Sequence, residues 1–374
     1  MLSRPDVAAS ILCLAGDAGG AAALSPLLTA LRDSGQPLRL LAYGPALALW
    51  QSQGLQPEAA PADPAAIDRA CRAAGLLLSA TSCNELNLER RYWQAAHAVA
   101  CPTLAVLDYW SNYGQRFEIA KKPFWPERIA VMDELAASGM RTAGCPPERL
   151  CIVGHPGFDA LSAEQLDAEQ RTRLRQTLGI APQCQLLVFV SQPLSELRAL
   201  LGQSLAPPDE QTILQQVIAA LDAPTDAAPP TLLIRPHPRE ASDKYDRWCR
   251  PGTASTAAVA VNHTLPSRQL VQAADLVLGI HSMLLLEACC LGCPVISLQP
   301  GQHPEPAAQY DPLPSNQCGA STAIYEMTKV IPEIRRYMLD ATARQQLRAG
   351  ARRACPPPGA TAKLQALISA MMER

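Results

Sequence analysis

The stretch of residues 279–294, GIHSMLLLEACCLGCP, places three polar side chains on an otherwise apolar helix. His281 and Ser282 stand where this helix begins, and Glu287 lies one and a half turns into it. A serine is a favoured N-cap, and the free N–H groups of a first helical turn attract anions such as a diphosphate. Glu287 suits a vicinal diol such as that of ribose. The alternative is a core glutamate satisfied by a backbone or lysine neighbour.

A second set of donors follows two other apolar runs in the same half of the chain. The segment RPHPRE supplies two guanidinium groups and an imidazole: Arg235, His237 and Arg239. Ser191 and Gln192 follow the run Gln185–Val190. Ligands of open α/β sheets bind beyond the carboxyl ends of strands, so we expect these donors to converge with the helix start. Guanidinium groups suit phosphate or carboxylate, and the alternative is a loop in which Glu240 pairs with Arg239.

The bulk properties predict a soluble protein of two domains. A chain of 374 residues is too long for one ordinary core. Hydrophobic residues make up 48% and charged residues 18%, which is typical of a well-packed globular protein. The formal net charge of −2 provides no overall field that would recruit nucleic acid or acidic lipid.

The cysteines indicate a reducing compartment. Thirteen of them, an odd number, are scattered through apolar runs, which predicts reduced, buried thiols and not a disulfide framework. Cys290 and Cys293 form a C-x-x-C without the second pair that a zinc site would need, so both are expected to be structural thiols. The apolar run Val7–Ala15 continues through Gly-Asp-Ala-Gly-Gly into an amphipathic helix, which favours a buried strand over a signal peptide. We therefore expect a cytoplasmic protein.

Apolar runs alternate with helical patterns along both halves of the chain, which predicts parallel sheets with right-handed crossovers. The expected fold class is α/β, with two doubly wound, Rossmann-like domains facing across a cleft. The expected boundaries are residues 1–160 for an N-terminal domain, 161–183 for a polar linker, and 184–354 for a C-terminal domain. Residues 355–374 form a C-terminal helix that is expected to pack back on the first domain.

The segment from Asp275 to Ile296 resembles the nucleotide-sugar site of GT-B glycosyltransferases. In that family the helix N-terminus takes the donor diphosphate, and the acid before Leu-Gly-x-Pro takes the ribose. The resemblance therefore implies the first role for His281 and Ser282 and the second for Glu287. It also implies GT-B architecture, with a nucleotide-sugar as co-substrate.

Other segments narrow the resemblance to lipid A disaccharide synthase and the UDP-N-acetylglucosamine 2-epimerases. Residues 153–161, VGHPGFDAL, resemble the interdomain Gly-x-Pro-x-x-Asp segment of those proteins. Residues 16–20, GDAGG, and the helix through Leu24–Leu31 lie where those proteins have their first loop and helix. The resemblance spans most of the chain.

The resemblance assigns the acceptor and the catalytic groups to the first domain. An inverting transferase needs one carboxylate that takes a proton from the acceptor hydroxyl. Three acids lie in its loops: Glu85, Asp108 and Asp17. Glu85 also opens a helical pattern, so a capping role is its alternative. Three aromatic residues and Arg116 follow Asp108, a mixture that suits sugar stacking with an ionic contact or plain packing.

The same resemblances leave several reactions open. The epimerases place a histidine–arginine pair after the first strand of the second domain, where this chain has Ser191-Gln192-Pro193, so a transferase ranks above an epimerase or hydrolase. The segments SQPLSEL and PHPRE resemble the His-Pro motif of bacterial GT-B sialyltransferases, which use CMP-linked donors. UDP is favoured, but the donor stays open between UDP and CMP sugars. A nucleotide-sugar-binding protein without catalysis is a further alternative.

The expected partners are a nucleotide-sugar donor and a glycan or lipid-linked acceptor of polysaccharide biosynthesis, with no nucleic acid. No D-x-D motif follows a strand, and GT-B enzymes generally work without a bound metal, so no metal or other cofactor is expected. The basic and aromatic residues of the segment Arg116–Arg128 suit an anionic acceptor at the inner face of a membrane, or simply a solvated loop. A homodimer is also compatible with the sequence.

Overall fold

The computed structural model describes residues 10–84, 86–200, 208–222, 228–249 and 257–373. The chain divides into two compact units. Unit 1 comprises Met1–Ala160 and Pro356–Arg374, and unit 2 comprises Leu161–Cys355. Residues 161–183, expected as a linker, thus belong to unit 2.

The elements are numbered in chain order. The strands are β1 (Ile11–Ala15), β2 (Leu38–Ala42), β3 (Glu58–Ala59), β4 (Leu76–Ser79), β5 (Thr103–Val106), β6 (Glu118–Ile119), β7 (Lys122–Pro123), β8 (Arg128–Val131), β9 (Leu150–Ile152), β10 (Leu186–Val190), β11 (Thr231–Arg235), β12 (Ala258–Val261), β13 (Leu276–Gly279), β14 (Val295–Leu298) and β15 (Thr322–Ile324). The helices are α1 (Ala18–Asp33), α2 (Gly44–Ser52), α3 (Pro64–Arg72), α4 (Leu88–Ala98), α5 (Glu134–Thr142), α6 (Ala168–Thr177), α7 (Leu194–Leu200), α8 (Glu210–Leu221), α9 (Ser267–Ala273), α10 (Met283–Cys290), α11 (Pro314–Gln317), α12 (Met327–Leu339), α13 (Ala341–Ala354) and α14 (Ala360–Met372).

Unit 1 is built on a parallel sheet of order β3-β2-β1-β4-β5-β8-β9, with a separate antiparallel pair β6-β7. Its central strands are continuous apolar runs, such as ILCLA in β1, because a parallel sheet covered on both faces buries every side chain. Local signals set the helix ends. Asp63, for example, is the N-cap of α3 and accepts a hydrogen bond from the backbone N–H of Ala66 at 2.9 Å, as its position before Pro64 predicts.

Unit 2 repeats this architecture with a parallel sheet of order β12-β11-β10-β13-β14-β15. Its core joins the inner faces of these strands to α8 and α12, with Phe189, Ile234 and Leu278 fully buried. The order runs outward from β10 in both directions, so the topological switch point lies between β10 and β13. This is where ligands bind in doubly wound sheets.

The C-terminal helix α14 belongs to unit 1, and the motif GHPGFD holds its first turn there. Asp159 accepts hydrogen bonds from the N–H groups of Gly359, Ala360 and Thr361 at 2.9, 3.0 and 2.7 Å. Gly154 has φ +102°, and a Cβ there would lie 2.3 Å from the carbonyl oxygen of Pro357. Only glycine permits this backbone to pass so closely, so the motif has a structural role in unit 1.

The expectation of reduced thiols is wrong for one pair of cysteines. Cys290, at the end of α10, forms a disulfide with Cys355, 65 residues further along the chain. The C-x-x-C partner Cys293 is buried and free. The sequence analysis expected a structural thiol at Cys290, whereas the disulfide joins the ends of two helices of unit 2.

Candidate functional site

The three donor segments of unit 2 lie at one edge of its sheet. The pairing register places Val190 beside Arg235 on one side and beside Gly279 on the other. Strands β10, β11 and β13 therefore end level, and the loops that follow them start side by side. This confirms the expected convergence of the strand ends, because parallel strands bring their carboxyl ends to the same edge.

Helix α10 begins at this edge, and the hydroxyl group of its N-cap residue does not cap the helix. Ser282 is its N-cap by backbone conformation, but its side chain caps no N–H group. Its Oγ is buried and has no hydrogen-bond partner among the described residues. The backbone N–H of His281 donates to Oε1 of Gln192 at 2.7 Å, which ties the loop after β10 to the helix start. A first helical turn with an unpaired hydroxyl can bind an anion.

The imidazole of His281 is neutral at physiological pH. Burial lowers its pKa from 6.5 to about 4, and the neighbouring His303 acts in the same direction. His281 can therefore offer a hydrogen bond to an anion but no positive charge. The helix dipole and backbone N–H groups carry the electrostatic attraction at this position.

Glu287 is engaged in an ion pair that the sequence did not reveal. Its Oε1 accepts a hydrogen bond from Nη2 of Arg268 at 2.7 Å, and Nη1 of the same arginine binds Oε1 of Glu164 at 2.7 Å. The partner of Glu287 is thus an arginine on α9 and neither a lysine nor a backbone group. The two residues are 19 positions apart, and only the packing of α9 on α10 brings them together.

A cavity of about 530 Å³ opens beside this ion pair. Its lining is a mixture of polar and apolar groups from the segment before α6 and the start of that helix, from Pro266 and α9, and from α10: Ala163, Glu164, Gln165, Leu166, Gln170, Pro266, Ser267, Arg268, Gln269, Gln272 and Glu287. Amide, hydroxyl and carboxylate groups in one cavity can bind a ligand that carries hydroxyl groups and a polar ring.

The three basic residues of RPHPRE have different environments. Nη1 of Arg235 donates to the carbonyl oxygens of Asn262 and Leu265 at 3.2 and 3.1 Å, so this guanidinium braces the loop after β12. His237 is half-buried, and its Nδ1 accepts a hydrogen bond from the N–H of Arg239 at 3.1 Å. Burial lowers the pKa of His237, with Arg239 acting in the same direction. The side chain of Arg239 is exposed, whereas those of Arg235 and His237 are half-buried.

Glu240 pairs with Lys244 and not with Arg239, which corrects the alternative interpretation of this loop. Its side chain is fully buried, and Oε1 lies 2.9 Å from Nζ of Lys244. Oε1 also accepts hydrogen bonds from Ser191 Oγ at 2.8 Å and from Tyr245 OH at 2.7 Å, and Oε2 accepts from the N–H of His237 at 2.6 Å. One carboxylate therefore fixes the loops after β10 and β11 to each other.

Lys244 is the centre of a buried charge cluster that sequence reasoning missed. Its Nζ lies 2.8 Å from Glu196, 2.5 Å from Glu210 and 2.9 Å from Glu240. Burial acts to lower the pKa of Lys244, but the three carboxylates raise it overall, so the lysine stays charged. The oxygens of the three glutamates lie within 4.8 Å of one another, and the ammonium group stands among them where a bound cation would otherwise lie. The Glu240–Lys244 spacing of four residues was the only signal in the sequence.

In unit 1, Asp17 follows β1 and Asp108 follows β5, and β4 lies between these two strands in the sheet. The carboxylate of Asp17 accepts hydrogen bonds from the N–H of Cys83 at 2.9 Å and from Nδ2 of Asn84 at 3.0 Å. Its own N–H donates to Ser82 Oγ at 3.1 Å. The loops after β1 and β4 are therefore joined through this aspartate, which remains partly exposed.

Asp108 is buried and held in one orientation. Its Oδ1 binds Nη1 of Arg116 at 2.6 Å and the hydroxyl of Thr81 at 3.3 Å. Its Oδ2 lies against the first turn of α1, where a Cβ on Gly19 would come within 2.7 Å of it. Arg116 orients the carboxylate through Oδ1, and Oδ2 faces the exposed Gly19.

Two of the three aromatic residues after Asp108, Trp110 and Tyr113, pack within unit 1. Trp110 is buried, and its Nε1 donates to both carboxylate oxygens of Asp133 at 3.0 and 2.9 Å. Tyr113 packs against Gly139. These contacts favour the plain-packing alternative for the two side chains. Glu85, the third acid, lies outside the described residues, and α4 begins only at Leu88.

A buried acid that the sequence did not single out lies behind Asp17. Glu89 is 1% exposed and accepts hydrogen bonds from the hydroxyl groups of Tyr43 and Ser82. Burial raises its pKa from 4.5 to about 7, even though both hydroxyl groups favour the ionised form. The signal in the sequence was weak, because Glu89 stands among the charged residues of an amphipathic helix.

Comparisons with known proteins bear on the fold. No family model matches the sequence, and no curated protein matches it. Solved structures do match: S. aureus MnaA with UDP is 11% identical with a TM-score of 0.67, over 95% of this chain and 94% of that one. Anabaena HepE with UDP is 15% identical with a TM-score of 0.64, over 96% of this chain and 100% of that one. The chain has the GT-B fold.

A third GT-B match is the UDP-GlcNAc 2-epimerase from Neisseria meningitidis bound to UDP-GlcNAc. It is 11% identical, with a TM-score of 0.64 over 96% of this chain and 100% of that one. The GT-B fold explains why both sheets are parallel and why each has a switch point at its carboxyl edge. Among the described residues of this GT-B chain, no helix combines the length and apolarity needed to cross a membrane.

Proposed function

We propose that this GT-B protein is an inverting, metal-independent glycosyltransferase that moves a sugar from a nucleotide-sugar, with UDP favoured as the carrier, to a glycan or lipid acceptor. The observation that carries the proposal is the helix start at the carboxyl edge of the second sheet. There the first turn of α10 and the unpaired hydroxyl of Ser282 lie beside the level ends of three strands. Such a site suits a diphosphate. The matched structures of MnaA and HepE contain UDP.

The nucleoside would occupy the cavity beside Glu287. Arg268 holds one carboxylate oxygen of Glu287 and so leaves the other for the ribose hydroxyl groups. A charged carboxylate forms stronger hydrogen bonds to a diol than a neutral group does. Because Arg268 also binds Glu164, the arginine keeps its position when the diol arrives.

The end of β10 favours transfer over epimerisation. Ser191 is buried and bound to Glu240 and Tyr245, and Gln192 accepts from the N–H of His281. Neither side chain titrates, so this position lacks the histidine–arginine pair of the epimerases that the sequence resembles. Epimerisation is the second candidate, because the fold also matches that of the Neisseria UDP-GlcNAc 2-epimerase. The experiment below therefore tests for it as well.

On the acceptor side, we assign the role of general base to Asp108 first and to Asp17 or Glu85 second. Asp108 is oriented by Arg116 and has one oxygen without a strong partner, as a general base requires. A polar cavity of about 370 Å³ in unit 1 includes Cys83, Asn84, Arg90 and Lys121 in its lining and suits an acceptor with an anionic group.

The reaction is tested with radiolabelled UDP- and CMP-sugars, assayed with and without a membrane and glycan extract as acceptor. Transfer of label to the extract supports the proposal. Release of free sugar or of an isomer without an acceptor would favour a hydrolase or an epimerase. Saturable binding without turnover of any donor would indicate a non-catalytic binding protein, and no nucleotide binding at all would refute the assignment of the site.

The ribose contact has a sharper test. UDP and 2′-deoxy-UDP are titrated into the wild type, Glu287→Ala and the matched control Glu164→Ala, which removes the other partner of the same arginine. Loss of a charge-assisted hydrogen bond should weaken UDP binding by about tenfold or more in Glu287→Ala and abolish the preference for UDP over 2′-deoxy-UDP. Equal losses in both variants would mean that Glu287 acts only through Arg268.

A further inference from the structure

A cavity of about 370 Å³ lies at the edge of the second sheet where its strands begin. Gln185 and Asp275, which line it, immediately precede β10 and β13, whereas the donor segments described above follow the ends of these strands. The five residues of β10 separate the two edges by about 17 Å at the ordinary rise of a strand. All residues of the lining belong to unit 2, and the function proposed above does not use this cavity.

Three arginines and one acid line this cavity: Arg171, Arg175, Arg344 and Asp275. Oδ1 of Asp275 binds Nη2 of Arg171 at 2.7 Å, and Oδ2 binds Nη1 of Arg175 at 3.0 Å. Burial acts to raise the pKa of Asp275, but the N–H of Leu186 and the two arginines lower it overall, so the carboxylate is ionised. With three positive charges against one negative charge, the described lining has a formal net charge of +2.

Backbone carbonyl groups hold the three guanidinium groups in place without neutralising them. Those of Arg171 and Arg175 donate to carbonyl oxygens at the end of α9, at distances of 2.9 to 3.2 Å. That of Arg344 donates to the carbonyl oxygens of Tyr337 and Met338 near the end of α12. Arg175 is only 8% exposed. Because these side chains are already fixed, a ligand that binds them loses little affinity to the ordering of side chains.

Each guanidinium group also keeps N–H groups that donate to no residue in the described part of the chain. These are Nη1 in Arg171, Nε in Arg175, and both Nε and Nη2 in Arg344. Nε and Nη2 of one arginine form a planar fork that matches two oxygens of a phosphate or carboxylate. The amide side chains of Gln176 and Gln183 line the same cavity and are exposed.

The charge and the size of the cavity select a class of ligand. A phosphomonoester carries a charge of about −1.5 to −2 near neutral pH and has three acceptor oxygens, so it matches the net charge of the lining. A volume of about 370 Å³ is within the range of small-molecule sites and leaves room for an organic group beside the phosphate. Amide groups such as those of Gln176 and Gln183 can form hydrogen bonds with the hydroxyl groups of such a ligand.

We propose that the cavity lined by Arg171, Arg175 and Arg344 is a second ligand site of this protein, and that it binds a small phosphomonoester such as a sugar phosphate. Arg344 binds the phosphate through its Nε–Nη2 fork, and Arg171 binds it through Nη1. The full length of β10 separates this ligand from the start of α10, so the ligand takes no part in sugar transfer and instead stabilises unit 2. This site does not depend on the function proposed above.

Isothermal titration with glucose 6-phosphate tests the site, with glucose as the uncharged control ligand. The wild type should bind the phosphate ester and not glucose. Arg344→Gln removes a charge-assisted hydrogen bond and should weaken binding by about tenfold or more. Arg348→Gln removes the same charge from an exposed position of α13 outside the lining and should stay within about twofold of the wild type. No binding by the wild type, equal binding of glucose, or equal losses in both variants would overturn the inference.

A second pair of variants leaves the contacts of Arg344 with the end of α12 intact. Gln183→Glu places a carboxylate at an exposed position of the lining and should weaken binding by about fivefold through repulsion. Gln345→Glu adds the same charge at an exposed position of α13 outside the lining and should change little. Thermal unfolding without ligand shows that each variant is folded. Full binding by both Arg344→Gln and Gln183→Glu would place the phosphate elsewhere and refute the site.

The start of α10 is the other position in unit 2 that suits a phosphate, and hydrogen exchange of the wild type separates the two positions. Glucose 6-phosphate should slow the exchange of residues 176–185, which border the cavity, and leave that of residues 281–286 unchanged. Unchanged exchange of residues 176–185, with or without slowing of residues 281–286, would contradict the inference.

Discussion

Glu89 shows how one buried carboxyl group makes the stability of unit 1 depend on pH. Its pKa in the folded protein is about 7, above the ordinary value of 4.5. The folded state therefore binds this proton more tightly than the unfolded state does. Its stabilising contribution is complete below pH 4.5 and is lost as the pH rises to about 7.

We expect the free energy of unfolding of the wild type, relative to Glu89→Gln, to fall by about 3 kcal/mol between pH 4.5 and pH 7 and to level off above it. The glutamine variant has the same shape but no titration at this position. Urea denaturation of both proteins across that pH range measures the difference. Parallel stability curves would show that Glu89 does not hold a proton near neutrality.

Asp108 and Asp17 differ in what surrounds them, and this predicts different kinetic effects. Asp108→Asn keeps the shape but removes proton acceptance, so kcat of transfer should fall by about 100-fold or more, with donor affinity unchanged. Both carboxylate oxygens of Asp17 accept hydrogen bonds from the loop after β4, from Cys83 and Asn84. Asp17→Asn should therefore act mainly by shifting that loop, with a smaller loss of kcat than in Asp108→Asn and a raised KM. Steady-state kinetics with saturating donor separates the two, and the reverse ranking would move the base to Asp17.

At the scale of elements, the starts of two helices differ in how their N–H groups are capped. The side chain of Ser282 does not cap α10, where we propose that a diphosphate binds, whereas Asp159 caps the start of α14. The difference has a physical cause: a helix N-terminus attracts an anion, and in α14 the chain itself supplies the anion.

Removal of the Asp159 carboxylate should therefore loosen α14. Asp159→Ala leaves three N–H groups without their acceptor and should lower the stability of unit 1 by about 1–2 kcal/mol. Asp159→Asn retains one acceptor oxygen and should lose less. Thermal unfolding and amide exchange of residues 359–361 give the comparison, and equal stability of all three proteins would exclude the capping role.

At the scale of the whole molecule, the chain leaves unit 1 after residue 160 and returns to it at residue 356. The returning helix is part of the core of unit 1, where Leu364, Ile368 and Met371 are buried. Unit 1 is thus built from two distant stretches of sequence, and unit 2 from one continuous stretch.

This arrangement predicts a selective effect of mutations in the last helix. Leu364→Ala should destabilise unit 1 by about 2–4 kcal/mol and speed hydrogen exchange in β1 and β4, with the exchange of β10 and β13 unchanged. The matched variant Leu285→Ala, fully buried in α10 of unit 2, should reverse the pattern. Equal acceleration in both units would mean that they unfold as one.

The sequence by itself determined the local structure and the sheet edge at which the donor segments of unit 2 meet. Apolar runs bounded by turn residues predicted the central strands to within a few residues, and their alternation with helices predicted that the sheets are parallel. The start of α10 was predictable because Ser282, an apolar run and Gly292 are local signals. The parallel sheets then required the loops after β10, β11 and β13 to meet.

Only the tertiary structure decided which side chains touch. The pairs Glu287–Arg268 and Lys244–Glu210, the disulfide Cys290–Cys355 and the cap from Asp159 to α14 join residues that are 19 to about 200 positions apart. Periodicity and capping rules describe forces within a few residues along the chain. Side-chain pairing instead depends on the packing of whole elements against one another. A buried carboxylate without a partner is costly, so it pairs with the cation or N–H group that the fold brings near it.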